Sequence, residues 1–347
     1  MLPGRECMMG GGSNKGTIAV LGAGSWGTAL AILLARNGVE TRLWGHDARQ
    51  LAAIQADREN RRYLPGIALP DRLELRADLG EALDAAPHIL MVVPSHAFRH
   101  WVRVIAPRLR EGARLAWATK GVEPGTGKLL HRVVAEEAGE QVEMAILSGP
   151  TFAREVAMGL PTAMTVASES ADFAQALAGY LHNETFRAYT SDDIIGVQLG
   201  GAVKNVLAVA AGIADGLGFG ANTRAALITR GIAEIVRLGT ALGGQRETFM
   251  GLAGLGDLVL TCTDNQSRNR RLGLELARGA TLQEALAHIG QVVEGVQTAQ
   301  EVMRLAQQTG VEMPIAAQVY RVLYEGCPPR AAVQALLARE QKPEFCY

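Results

Sequence analysis

The first half of the chain alternates short apolar runs with longer amphipathic segments. One amphipathic helix is expected over 25–37, after the apolar run 17–22. A second is expected from the end of the run 40–44 to about residue 57. Repeated strand–helix alternation indicates right-handed crossovers and a parallel sheet, which the last two runs are expected to extend. Seven apolar runs are typical of buried strands: 17–22, 40–44, 88–93, 114–117, 144–147, 162–167 and 186–189.

From about residue 191 the period of the apolar positions changes to that of helices. No run typical of a strand follows, so the second half is expected to be an all-helical domain. We therefore expect a disordered leader over 1–16, an α/β domain over 17–190 and a helical substrate-binding domain over 191–341. The predicted helices are 192–213, 225–242, 270–278, 282–288, 298–309 and 315–324.

Composition narrows the class of protein. A length of 347 residues suggests two domains, and 48% apolar with 20% charged residues is usual for a globular fold. The net charge of −1 argues against a nucleic-acid-binding protein. No apolar run approaches the roughly 20 residues of a membrane span, so we expect no integral membrane segment. The four scattered cysteines indicate neither a metal site nor a disulfide framework, which favours the cytoplasm.

A glycine motif lies between the first strand and the first helix. Gly22, Gly24 and Gly27 fit the pattern GxGxxG in the segment GAGSWG. The first glycine permits a tight turn, the second lets the backbone approach a pyrophosphate, and the third allows the helix to pack on the strand. The helix N-terminus then offers free N–H donors to phosphate. The motif predicts a Rossmann-like N-terminal domain with a mostly parallel sheet; the alternative is a glycine-rich turn without a ligand.

The end of the second strand bears on the choice between NAD and NADP. An acid about 20 residues beyond the motif commonly binds the NAD ribose, and Asp47 is near that position. Asp47 could instead cap the next helix, while His46 and Arg49 approach a 2′-phosphate. The sequence therefore slightly favours NADPH over NADH. A surface histidine in a loop is the alternative interpretation of His46.

Lys204 stands in an otherwise apolar helix, LGGAVKNVLAVAAGIADG. A lysine in such surroundings must extend to solvent, pair with an acid or lower its pKa, and in the last case it can act as a general acid–base. Gly200 and Gly201, one turn earlier, leave room for something flat or bulky. Asp257 lies in the apolar segment GLAGLGDLVLT, where Lys204 would offset the cost of burying its carboxylate. The alternatives are a surface lysine and a helix-capping aspartate.

Further polar residues follow strands or precede a helix. Lys120 and the segment 148–151 each come directly after a predicted strand, at the sheet edge where ligands bind in such folds. Ser267-Arg268-Asn269-Arg270-Arg271 precedes a helix, where positive charges oppose the helix dipole unless an anion lies among them. Arg268 could bind a phosphate through two parallel hydrogen bonds. A solvated basic turn is the alternative. Together these features favour a small phosphorylated substrate.

The chain resembles the bacterial NAD(P)-dependent glycerol-3-phosphate dehydrogenases from about residue 17 to about residue 339. The matching segments are GAGSWGTALA, LWGHD, VVPSH, WATKG, SGPTFA, GVQLGGAVKNV, GFGANTRAALITRG, GLAGLGDLVLTCTDNQSRNRR and VVEGV. The resemblance implies reduction of dihydroxyacetone phosphate to sn-glycerol 3-phosphate for glycerophospholipid synthesis, with NADP or NAD as cofactor. It also suggests a homodimer.

The resemblance implies roles for residues at matching positions. Lys204 is the implied general acid–base, which gives its proton to the carbonyl oxygen. Implied substrate contacts are Lys120, Gly149, Thr151, Lys204, Asp257, Ser267, Arg268 and Asn269. Expected cofactor contacts, including the glycine turn, are Gly22, Gly24, Ser25, Trp26, Gly27, His46, Tyr63, Lys120, Ala153, Arg268, Val292 and Glu294.

Two other functions fit parts of this pattern. A dehydrogenase acting on a β-hydroxyacid would share the nucleotide-binding half and a lysine in the helical half, but its substrate carries a carboxylate rather than a phosphate. A nucleotide-binding sensor without catalysis would need the glycine turn, but it would not need Lys204, Asp257 and Arg268 together. Turnover of a substrate panel distinguishes the three.

Overall fold

A computed structural model describes residues 16–341, 343 and 344. The predicted leader, 1–16, lies outside the described residues except for Gly16. The described strands, in chain order, are β1 (Ile18–Leu21), β2 (Thr41–Trp44), β3 (Leu73–Arg76), β4 (His88–Met91), β5 (Arg114–Trp117), β6 (Glu143–Ser148), β7 (Thr162–Ala167) and β8 (Phe186–Ser191).

The eight strands form one sheet in the order β3-β2-β1-β4-β5-β6-β7-β8. Neighbours from β3 to β6 are parallel, as the strand–helix alternation predicts. The strand order reverses direction between β1 and β4, and ligands of open α/β sheets bind at such a switch point, beyond the carboxyl ends of the strands. The sheet thus places the GAGSWG turn, which follows β1, at the expected ligand-binding edge.

The last two strands run against the other six. β7 is antiparallel to β6, with Ile146 opposite Ala167 and Ser148 opposite Thr165, and β8 is parallel to β7. The sheet is therefore mostly parallel, and both later strands extend it as expected. Residues on its two faces form two apolar clusters, one packed against the helices over 25–36 and 171–181 and the other against those over 95–105 and 130–138.

Helices cover both faces of the sheet and form the whole second half of the described chain. Those of the first half are α1 (Ser25–Arg36), α2 (Ala48–Asp57), α3 (Leu79–Leu83), α4 (Ser95–Ile105), α5 (Leu130–Ala138), α6 (Ala153–Met158) and α7 (Ala171–Leu181). Those of the second half are α8 (Ile194–Gly216), α9 (Ala221–Ala241), α10 (Arg246–Met250), α11 (Asp257–Thr263), α12 (Arg268–Ala277), α13 (Leu282–Ile289), α14 (Glu294–Thr309), α15 (Pro314–Tyr324) and α16 (Pro329–Leu337).

The third apolar cluster surrounds α8, which lies at the centre of the helical half. Among the described residues, α8 alone is long and apolar enough to span a bilayer, but 94% of its most apolar window is buried inside the protein. It is therefore the core helix of the second half. Its apolar stretch is interrupted by the buried polar side chains Gln198, Lys204 and Asn205.

Candidate active site

The glycine turn after β1 has the geometry that a dinucleotide needs. Gly22 has φ +129°, a value that L side chains rarely adopt, and a Cβ there would overlap the backbone of Val92. A Cβ on Gly27 would overlap the carbonyl of Gly22, so this glycine lets α1 pack against the strand. At Gly24, by contrast, a Cβ would meet nothing within 4 Å. The turn is thus closely packed at Gly22 and Gly27 and open at Gly24.

The N-terminus of α1 is available to an anion. Gly24 precedes the helix, and no described side chain caps the free N–H groups of the first turn or places an acid there. The indole N–H of Trp26 is buried and finds no acceptor among the described residues. Free amide donors beside an open turn fit the pyrophosphate of a dinucleotide. Ser25, the first residue of the helix, lies at the same end.

Asp47 caps a helix. It lies beyond the end of β2, and its carboxylate accepts hydrogen bonds from the backbone N–H groups of Arg49 (3.0 Å) and Gln50 (3.1 Å). These two hydrogen bonds lower the pKa of Asp47. His46 and Arg49 are exposed at the same edge of the sheet. The arrangement agrees with the capping alternative for Asp47 and leaves two exposed basic groups beside it.

Two lysines share one buried carboxylate at the centre of the site. The Lys204 ammonium donates to Asp257 Oδ1, and Lys120 Nζ donates to Asp257 Oδ2 at 2.7 Å and to the Gly149 carbonyl at 3.0 Å. Lys204 and Asp257 are 5% and 1% exposed, so both are removed from bulk water. Asp257 thus has the charge partner expected for it, and Lys204 is not a surface lysine. The ion pairs join the carboxyl edge of the sheet to α8 and α11.

A close helix contact brings Asp257 to Lys204. A single π-helical turn, Leu252–Gly256, precedes α11 and packs against α8 at Gly200, where a Cβ would lie 2.5 Å from the Ala253 carbonyl oxygen. At Gly201 a Cβ would lie 2.6 Å from Ser148 Oγ. The room that these two glycines leave is filled by protein atoms: they let the π turn and the end of β6 approach α8.

Burial controls the charge of Lys204. Removal from water disfavours the ammonium and lowers its pKa to about 7, while the Asp257 carboxylate acts in the opposite direction. Lys204 Nζ also donates to Thr261 Oγ1 at 2.9 Å, and that hydroxyl donates its own proton to the Asp257 carbonyl at 2.6 Å. A lysine with this pKa can both give and take a proton near neutral pH.

The first turn of α12 contains both paired and unpaired arginines. Arg270 pairs with Asp215 at 2.6 Å, so the expectation that an external anion accounts for all three arginines is wrong for this one. The guanidinium of Arg268 makes no hydrogen bond or ion pair with any described residue, and burial lowers its pKa. The Glu294 carboxylate acts to raise that pKa but accepts no hydrogen bond from the guanidinium, so the donors of Arg268 stay free for the anion of a ligand.

Ser267 and Asn269 hold the turn in place. Ser267 caps α12, since its hydroxyl accepts from Arg270 N at 3.2 Å. Asn269 Nδ2 donates to Asn205 Oδ1 at 2.9 Å, and its oxygen accepts from Gly295 N at 2.9 Å. Asn205 directly follows Lys204 in α8. The first turn of α12 is thereby linked to the lysine cluster and to the start of α14.

Glu294 reaches across to the nucleotide-binding half. Ser95 Oγ, at the start of α4, donates to Glu294 Oε2 at 2.8 Å. Burial raises the pKa of Glu294, whereas Ser95 and Arg268 act to lower it. Gly121, which follows Lys120, lies against this pair, because a Cβ there would be 3.0 Å from Ser95 Cβ. Glu294, Arg268 and Ser95 thus meet beside the carboxyl ends of β4 and β5.

The remaining expected site residues lie around this centre. Thr151 Oγ1 donates to the Gly149 carbonyl at 3.2 Å, and Ala153 begins α6 and packs on the core beneath the glycine turn. Val292 is 42% exposed, which is unusual for a core valine. Tyr63 is half-buried beneath the guanidinium of Arg62, 5.0 Å from its ring centre. No described contact joins Tyr63 or His46 to the lysine cluster.

Several polar residues of the site escaped the sequence analysis. Thr261 and Asn205 both contact site residues, and Ser95 binds Glu294. Two of them carried a usable signal: Thr261 lies four residues after Asp257, on the same helix face, and Asn205 is a second polar residue in an apolar helix. Ser95 could be found only from the fold, because its partner is 199 residues away.

Family models, related sequences and a solved structure all match this chain to one family. Models of the NAD-dependent glycerol-3-phosphate dehydrogenase N-terminus and C-terminus match residues 17–174 and 193–334. Glycerol-3-phosphate dehydrogenases [NAD(P)+] of Nitrosococcus oceani and Pseudoalteromonas translucida are 62% and 58% identical, over 94% of this chain and 95% and 98% of theirs. The crystal structure of glycerol-3-phosphate dehydrogenase from Coxiella burnetii superposes with a TM-score of 0.91 at 51% identity, covering 94% of this chain and 100% of that one.

Proposed function

Because the chain belongs to the NAD-dependent glycerol-3-phosphate dehydrogenase family, we propose a specific route for the reaction that it catalyses. The protein is an oxidoreductase that acts on a CH–OH group with NAD or NADP and interconverts dihydroxyacetone phosphate and sn-glycerol 3-phosphate. The observation that carries the route is the Lys204–Asp257–Lys120 cluster, buried where α8 meets the carboxyl edge of the sheet.

Lys204 is the proton donor of this proposal. The nicotinamide, when bound, supplies the hydride that forms the new C–H bond. As negative charge develops on the carbonyl oxygen, the Lys204 ammonium stabilises it by a hydrogen bond and then transfers its proton to it. The amine left behind is tolerated because burial already lowers its pKa to about 7. In the reverse direction the neutral amine accepts the hydroxyl proton.

Asp257, Lys120 and Thr261 prepare Lys204 for this step. Asp257 keeps the buried ammonium charged by pairing with it, and Thr261 fixes the direction of its N–H bonds. Lys120 is assigned to both substrate and cofactor, since it follows β5 at the ligand-binding edge. Gly149 and Thr151, at the end of β6, are assigned to the substrate from the adjoining loop.

The substrate phosphate is assigned to the first turn of α12. Arg268 supplies the unpaired guanidinium, and Ser267 and Asn269 supply the neighbouring polar groups. Binding energy from this remote group orients the carbonyl carbon against the nicotinamide. The cofactor is assigned to Gly22, Gly24, Ser25, Trp26, Gly27, His46, Tyr63, Lys120, Ala153, Arg268, Val292 and Glu294. Exposed His46 and Arg49, with Asp47 occupied as a cap, support a slight preference for NADPH.

We extend the proposal to the domains, the cellular location and the assembly of the protein. Residues 17–190 form the dinucleotide-binding domain and 191–341 the substrate domain. We place the enzyme in the cytoplasm, as a homodimer that binds no nucleic acid, at the start of glycerophospholipid synthesis. Family membership supports these assignments.

The deciding measurement is oxidation of NADPH and NADH, in parallel, with dihydroxyacetone phosphate as the acceptor. Turnover with both cofactors, and a lower KM for NADPH, is expected. Strong turnover of a β-hydroxyacid without turnover of dihydroxyacetone phosphate would favour the other class of dehydrogenase. Cofactor binding without turnover of any substrate would favour a sensor.

Arg268→Ala tests the phosphate assignment. The variant is expected to raise the KM for dihydroxyacetone phosphate by about tenfold to a hundredfold, since a hydrogen bond to a charged group contributes about 1.5–3 kcal/mol. Thermal unfolding should change little, because Arg268 has no hydrogen-bonded partner among the described residues to lose. Unchanged KM and kcat would contradict the assignment.

A further inference from the structure

Asp215, near the end of α8, binds two arginines at once. Its Oδ2 accepts a hydrogen bond of 2.6 Å from Arg270 in the first turn of α12. Arg224 of α9 contacts the same carboxylate through Nη2 at 2.8 Å and Nε at 3.1 and 3.2 Å. The side chain of Asp215 is only 7% exposed, so water and salt screen these pairs weakly. None of the roles assigned above uses Asp215.

Arg270 is fully occupied by protein partners. Besides Asp215, its guanidinium donates to the Cys262 carbonyl at 3.1 Å and to the Asn265 side chain, and the residue is 8% exposed. Its backbone carbonyl packs on α8 at Gly212, where a Cβ would overlap it. The first turn of α12 is thus held to α8 by a close backbone contact and a buried ion pair.

The side chains of Arg268 and Arg271, which lie close to Arg270 in the sequence, have no such protein partners. Neither side chain forms a hydrogen bond or an ion pair with any residue that the structure describes, and Nε of Arg271 is buried without a partner. At about 100° per residue, these two arginines lie about 60° apart around the helix, while Arg270 points about 160° away from Arg268. Two unpaired guanidiniums side by side repel each other, so an anion between them would stabilise both.

We propose that Asp215 is a positioning residue of the phosphate site. By drawing Arg270 to the opposite side of α12, it fixes the first helical turn and leaves Arg268 and Arg271 directed at the phosphoryl group of the substrate. The inference rests on the proposed function, because it takes dihydroxyacetone phosphate as the substrate. It assigns Arg271 as a second cation at that group.

A purely electrostatic role for Asp215 predicts the opposite sign. If the carboxylate only lowered the positive potential of the turn, its neutralisation would strengthen phosphate binding and lower the KM. If it positions the turn, neutralisation releases Arg270, lets the turn shift and weakens phosphate binding. The direction of the change in KM therefore separates the two roles.

Asp215→Asn tests the proposal with a substrate that has the phosphate and one that lacks it. The KM for dihydroxyacetone phosphate is expected to rise about tenfold, since weakening a hydrogen bond to a charged group costs on the order of 1.5 kcal/mol, which is about tenfold in affinity. Meanwhile kcat should stay within about twofold, and kcat/KM for dihydroxyacetone, which has no phosphate to bind, should be unchanged. A general loss of folded enzyme would lower kcat/KM equally for both substrates.

Controls separate positioning from damage to the fold. Asp215→Glu keeps the charge and should recover part of the lost affinity. Arg278→Gln, at the exposed end of the same helix, should match the wild type, because its side chain is 65% exposed. Should Asp215→Asn fail to fold, Arg270→Lys is the second variant, because it keeps the charge but loses the multiple guanidinium contacts. It should likewise raise the KM for dihydroxyacetone phosphate and leave kcat/KM for dihydroxyacetone unchanged.

Three results would overturn the inference: an unchanged or lower KM for dihydroxyacetone phosphate, an equal loss with dihydroxyacetone, or a rise confined to the KM for NADPH with none for NADH. The last would place the two guanidiniums at the cofactor 2′-phosphate. Failure of the wild-type enzyme to turn over dihydroxyacetone phosphate is a separate result, which would refute the proposed function itself.

Discussion

The Lys204 ammonium lies in buried surroundings, where desolvation makes a positive charge unfavourable. Desolvation alone would favour the neutral amine, and the Asp257 carboxylate restores part of the stability of the ammonium. The balance lies near neutrality because both effects act on the same nitrogen. This balance, rather than the presence of a lysine alone, makes the residue suited to exchange protons in both directions of the reaction.

Lys204→Ala removes the proposed proton donor, to which no cofactor contact is assigned. We expect kcat to fall by about a hundredfold to ten-thousandfold, the usual contribution of general acid catalysis, with the cofactor Kd near the wild-type value. Stopped-flow turnover and fluorescence titration with NADPH measure the two quantities. Lys128→Ala is the matched control, since that lysine is half exposed and pairs only with Glu136. Unchanged turnover in Lys204→Ala would refute its role.

The pKa of Lys204 also sets the pH dependence. Ketone reduction needs the ammonium, so kcat for dihydroxyacetone phosphate should fall as pH rises through about 7, the lowered pKa of Lys204. Oxidation of glycerol 3-phosphate needs the neutral amine, so its rate should fall as pH drops through the same value. Initial rates in both directions across this range measure the effect. Asp257→Asn removes the group that raises this pKa, and should move both limbs to lower pH.

At the scale of elements, close helix contacts bring Lys204 and Asp257 together. The π-helical turn 252–256 lies against α8 at Gly200, and it orients the start of α11 so that Asp257 faces Lys204. A side chain at Gly200 would push this turn away. The glycine is therefore required for the position of a carboxylate 57 residues later in the chain, although it contacts no ligand.

Gly200→Ala is expected to lower both stability and activity. Its Cβ would lie 2.5 Å from the Ala253 carbonyl, and overpacking of this kind costs about 1–3 kcal/mol. Gly179→Ala in α7 is the matched control, because nothing lies within 4 Å of a Cβ there; it should be neutral or stabilise by about 0.5–1 kcal/mol. Urea unfolding and kcat measure the two effects. Equal behaviour of the two variants would refute the packing argument.

Most elements were predictable because their apolar period is clear. The predicted fold class is confirmed, and β5 and β7 have the predicted bounds. The strand β3 was missed because LELR is short and alternates with charged residues at the sheet edge, where Glu74 and Arg76 pair with each other. The turn 252–256 and α11 were missed because glycines interrupt their period. Clear periodicity thus marks the core elements but not the edges.

The residues of the site were predictable unevenly for a related reason. Lys204 and Asp257 are conspicuous because charged groups are rare in apolar segments. Arg268, Arg270 and Arg271 look alike in the sequence, and only the position of Asp215 distinguishes the paired arginine from the unpaired ones. Similarly, the cap at Asp47 required the exact end of β2. Pairing across long sequence separations cannot be read from local patterns.

At the scale of the whole molecule, the two halves are joined by polar contacts as well as by apolar packing. Lys120 binds Asp257, Ser95 binds Glu294, and the backbone N–H of Gly125 donates to Glu301 at 2.8 Å. Glu301 is itself 2% exposed. Buried contacts of this kind are lost together, so the halves should unfold as one unit.

Two optical probes test this cooperativity. All four tryptophans, at positions 26, 44, 101 and 117, lie in the first half, whereas most helical residues lie in the second. Tryptophan fluorescence and the circular dichroism at 222 nm therefore report on different halves. We expect coincident transitions in urea, as two-state unfolding requires. Two separated midpoints would show that the halves unfold independently.

The reversed strand β7 explains why the lysine stands in the middle of a helix. Because β8 runs with β7, it ends toward the opposite edge of the sheet from β6, and Ser168, which binds the last residue of β8, contacts Met144 near the start of β6. From there α8 climbs ten residues to Lys204, about 15 Å at 1.5 Å per residue, which matches the roughly 17 Å rise of five strand residues. The length of α8 before Lys204 therefore sets the height of the amine: four residues inserted there would move it about 6 Å along the helix axis, away from Asp257.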